Sequence, residues 1–141
     1  MLGNLYEDKE KSEQAYRLAA RGEFNLSSAM YYNAQPPQMM YYSAKAIEAL
    51  GDKDEAKKRF NAFIEYANNH MNDEMKIDYF AVSLPDFLIF EGDLNKNNKV
   101  HCNLMAALGY FGIGDNDNAQ KYAKQGLELN QCHAELRDIV K

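Results

Sequence analysis

The chain has 141 residues with 16 Lys and Arg against 21 Asp and Glu, a formal net charge of -5. That length suits one domain able to bury a core without disulfide or metal staples, and the acidic balance argues against nucleic acid or anionic lipid as partners. No apolar run approaches the roughly 20 residues of a membrane-spanning helix, and the first residues lack the basic-then-apolar pattern of an export signal. Cys102 and Cys132 stand far apart without CxxC clustering, which points to reduced thiols in a cytoplasm and to neither a disulfide framework nor a zinc site.

Taken in order, the chain reads as helices throughout, one domain over residues 1–141. A helix is expected around residues 8–20, where Ala15 and Ala19 set a small-residue i, i+4 spacing. Its preceding partner helix is missing or very short, so residues 1–35 read as a partial unit and the chain as a piece of a longer array. In residues 36–70, Met40, Ala44 and Ile47 form one apolar stripe, and Ala56, Phe60, Phe63 and Ala67 form a second. Between them Gly51 suits the left-handed position past a helix end, and Asp52 with Glu55 three residues on forms a capping pair for the next helix. Residues 71–96 are irregular. Pro85 should break a helix near Val82, with Ser83 and Asp86 placed to restart it. Phe87 and Phe90 bound a short apolar run that could be a strand, but no second strand is available to pair with it.

The earlier design returns in residues 97–131. Val100, Leu104, Ala107 and Phe111 mark one helix, Gly114 and Asp115 a turn, and Ala119, Ala123 and Leu127 a second helix; residues 132–141 follow as a C-terminal helix. Gly51 and Gly114 are 63 positions apart, as are Ala44 and Ala107, and Ala56 and Ala119. The turn and the packing alanines thus keep one register in both copies, as an internal repeat requires. Small residues at these places let facing helices approach while larger neighbours fill the flanks.

These stretches, YYSAKAIEALGDKDEAKKRFNAF (residues 41–63) and NLMAALGYFGIGDNDNAQKYAKQGLELN (residues 103–130), resemble tetratricopeptide repeats. Ala44, Gly51, Ala56 and Phe60 in one copy, and Ala107, Gly114, Ala119 and Ala123 in the other, fall at the structural positions of such repeats. Met40 and Asn103 replace the early tryptophan, and Gln131 the closing proline. Two regular units would span 68 positions rather than 63, so the middle unit is shortened or distorted. Over residues 36–137, including DYFAVSLPDFLIFEGDL (residues 78–94), the chain is also similar to the C-terminal repeat region of large bacterial multidomain proteins that carry a sugar-mutarotase-like domain of unknown function. The resemblance implies an all-α, short right-handed solenoid of antiparallel helix pairs and a bacterial, carbohydrate-linked context.

The candidate chemistry has simpler structural readings. Asp78, Asp86, Glu91 and Asp93 could pair as acid and base, but acids at helix starts are ordinarily caps. Asp93, Asn95 and Asn97 imitate a calcium loop, yet its glycine and bidentate glutamate places hold Asn98 and Leu104; a solvated loop capping the next helix is the expected reading. The run Asp115–Asn118 fails the same test. His101 with Cys102 and Cys132 with His133 are adjacent pairs, which on a helix rarely converge on one ion. Lys57, Lys58 and Arg59 read as a solvated face. Among ten tyrosines, Tyr31, Tyr32, Tyr41 and Tyr42 offer binding area, or equally inter-helix packing with a wet hydroxyl.

The expected function is therefore that of a non-catalytic scaffold without cofactor or metal, holding a protein, a peptide or other domains of its parent chain. By the resemblance, its groove would carry Tyr41, Lys45 and Glu48 from one unit and His101, Leu104 and Leu108 from the other. Exposed ends of an interrupted array would offer a route to a homodimer. An alternative is an accessory helical domain of a bacterial carbohydrate-active multidomain enzyme.

Overall fold

The computed structural model describes residues 2–28, 35–75 and 91–140. Pro85, Tyr31, Tyr32, Asp78, Asp86 and the apolar run at residues 87–90 lie outside the described residues. Those that are described form an all-helical structure without a strand. A 3-10 turn (Leu2–Leu5) precedes α1 (Lys9–Ala20), α2 (Pro37–Ala49), α3 (Lys53–His70), α4 (Glu91–Ile113), α5 (Asn116–Leu129) and α6 (Ala134–Val140). No helix of the described residues is long and apolar enough to cross a membrane.

Two turns 63 positions apart are built alike. After α2, the Gly51 and Asp52 amides donate to the carbonyls of Glu48 and Ile47 at 3.0 and 3.2 Å; after α4, Gly114 and Asp115 donate to Phe111 and Tyr110 at 3.3 and 2.9 Å. Both are paired 5→2 and 6→1 bonds, which satisfy the last carbonyls of a helix. They need a left-handed residue, and Gly51 and Gly114 supply it at φ 101° and 85°. The next residue in each case is the cap of the following helix: Asp52 accepts from the Glu55 amide at 3.0 Å, and Asp115 from the Asn118 amide at 3.1 Å. A Cβ at either glycine would meet nothing within 4 Å. Gly51→Ala and Gly114→Ala are therefore expected to cost about 1–2 kcal/mol each, wholly through the backbone. Matched urea melts of the two variants check this.

The capping pair at Asp52 is only half realised. Glu55 turns its carboxylate to Arg59, 3.0 Å away, rather than back to the cap. Arg59 in turn departs from the solvated face expected of residues 57–59. Its guanidinium also donates to Ser43 Oγ at 3.3 Å and lies 5.1 Å from the ring of Phe24.

The core centres on α4. This helix packs on both α2 and α3, while α6 packs on both α4 and α5, and α1 rests on α2. Enclosed on all sides, every residue from Cys102 to Leu108 is buried, so its apolar positions run all round the helix rather than along one stripe. Ala44, Ala56, Ala107, Ala119 and Ala123 are buried at the helix contacts together with Phe60 and Phe63. Phe111 departs from the expected stripe: it is 46% exposed, one ring face against Tyr41. Helix α4 also begins earlier than expected, so Asp93, Asn95 and Asn97 lie inside a helix and not in a capping loop. From there Asn95 accepts from the Met75 amide at 2.8 Å, and Asn98 donates to the His70 carbonyl at 2.7 Å. These bonds fasten the end of α3 to α4.

Candidate functional site

The six residues expected to line a groove do not form one open surface. Leu104 and Leu108, 4% and 5% exposed, belong to the core because α4 is enclosed by its neighbours. Tyr41 is 7% exposed, with its ring 5.5 Å from Tyr42, 5.7 Å from Phe60 and 6.2 Å from Phe111. Burial pushes its phenol up to about 12, so Tyr41 is packing, while Tyr42 beside it is 48% exposed. Lys45 and Glu48 pair with each other on α2, half-buried. His101 is partly buried, and its Nε2 donates to the Ser27 carbonyl at 2.8 Å. Burial lowers its pKa, the Ser27 bond opposes that shift, and His133 adds to it.

A cleft opens elsewhere. It lies between the C-terminal part of α3 and α5, with α4 beneath, and holds about 440 Å³. Asn68, Met71 and Asn72 form one wall, Lys99 and Asn103 the floor, and Tyr122, Gln125, Glu128 and Leu129 the other wall. No α2 residue contributes, and none of the six residues expected to line a groove borders it. Asn103 is 4% exposed. Its Nδ2 donates to the Lys99 carbonyl at 2.8 Å, leaving Oδ1 buried with no partner. A buried acceptor left unmade costs about 1–3 kcal/mol. Tyr122 is held in place by parallel stacking on Tyr110 at 5.5 Å, with the Lys121 ammonium 5.7 Å from its ring.

The lining is suited to hydrogen bonding rather than proton transfer. Carboxamides both donate and accept but do not titrate, and Lys99 and Glu128 balance in charge. Lys99 and Asn103 stand one helical turn apart on α4 at about 5–6 Å, while Asn68 lies on α3 and Asn72 in the turn that follows it. Asn68, Asn72 and Gln125 read in sequence as ordinary surface, because nothing local says that α3 and α5 will flank α4.

Cys102 and Asp115 sit in structural surroundings. Cys102 is buried and its Sγ lies 3.8 Å from Asn98 Oδ1; burial pushes this thiol up to about 11, with Asp73 adding to the shift. A reactive cysteine needs the opposite shift. At pH 8 a thiol reagent should modify only the exposed Cys132 in the folded protein, and Cys102 only on unfolding; labelling followed by mass spectrometry checks this. Asp115 has its carboxyl held low by the Asn118 side chain and amide, as a cap does. Among the described residues no group of three His, Cys, Asp or Glu stands together as metal ligands.

No protein-family model matches this chain, and no solved structure matches it.

Proposed function

We propose that this domain is a non-catalytic helical-repeat scaffold of the tetratricopeptide type, which holds an extended segment of a protein partner or of its own parent chain. The repeat reading is supported by the two like-built turns at Gly51 and Gly114. It is supported further by α4 and α6, each of which seats on both helices of the pair before it. The observation that carries the binding reading is the amide-lined cleft on the α3 and α5 side. Its carboxamides, Asn68, Asn72, Asn103 and Gln125, suit a main chain that offers N–H groups and carbonyls in alternation. The expected groove set does not serve this role, since Tyr41, Leu104 and Leu108 are core residues.

Asn68, Asn72 and Gln125 are exposed, so replacing all three with Ala should change stability little. The scaffold reading expects such a variant, folded by circular dichroism, to lose a partner that the parent domain captures. Equal capture by both would remove the cleft from the binding site.

A further inference from the structure

We draw no further inference here: the strongest candidate, the aromatic face of α2 and α4 where half-exposed Tyr42 and Phe111 flank the buried ring of Tyr41, carries nothing because nothing in the structure shows what covers it.

Discussion

Phe63→Ala is expected to lower the unfolding free energy by about 3–5 kcal/mol, as large-to-small changes at buried aromatic positions do. Phe63 is 0% exposed and lies where three elements meet. On α3 it belongs to the stripe that faces the core. A Cβ added to Gly109 of α4 would come within 3.0 Å of its own Cβ, so the two helices touch here. On its other side the ring of Phe24 approaches edge-on. Truncation thus leaves a cavity in the central contact and removes the surface against which Phe24 packs. Urea denaturation followed by far-ultraviolet circular dichroism measures the loss, and a change below about 1 kcal/mol would place Phe63 outside the core.

Gly109→Ala should also destabilise, although Ala is favoured over Gly within a helix by about 1 kcal/mol. The added methyl would lie 2.7 Å from both the Phe60 carbonyl oxygen and Ile64 Cγ1. A backbone oxygen cannot turn aside, so α3 and α4 must separate, at an overpacking cost of about 1–3 kcal/mol. We expect a net loss of up to about 2 kcal/mol once the propensity gain is subtracted. Gly112→Ala behaves the same way by a different contact, since its methyl would fall 2.2 Å from the ring of Phe60, itself fully buried. A variant at Gly109 that melts at higher denaturant than the parent chain would mean that the helices cross less closely than described.

These two glycines mark where local reading ends. Gly51 and Gly114 were legible because a turn is a local event: a glycine past an apolar stripe and an aspartate after it specify the same bonds wherever they occur. The stripes Met40–Ala44–Ile47 and Ala56–Phe60–Phe63–Ala67 were legible for the same reason, since period alone places them inward. Gly109 looks no different in sequence from a helix-weakening residue, and only the approach of α3 gives it a purpose. Burial of Tyr41 and Leu108 was equally hidden, while Leu104 reads in sequence both as part of its helix's apolar stripe and as groove. A groove assigned from the first helices supposes that α4 keeps one face open, whereas α2, α3, α5 and α6 together enclose it. Arg59 looked like part of a basic surface because Phe24 and Ser43, its actual neighbours, are 35 and 16 residues away. The segment of residues 23–28 carries no helical period, and its alternation of Glu23, Phe24, Asn25 and Leu26 is too short to be told from a loop without its partners. The cleft is the extreme case, since Asn68, Asn103 and Gln125 come from three helices.

The central claim is that the cleft between α3 and α5 holds a partner segment, and site-specific photo-crosslinking tests it most directly. A photoreactive residue at Gln125, on the cleft wall, is expected to give one discrete crosslinked product in cells, lost when Asn68 and Asn72 are replaced with Ala. The same residue at Lys57, exposed on α3 away from the cleft, should give none. A product from Lys57 but not from Gln125, or a Gln125 product unaffected by the two substitutions, would contradict the account.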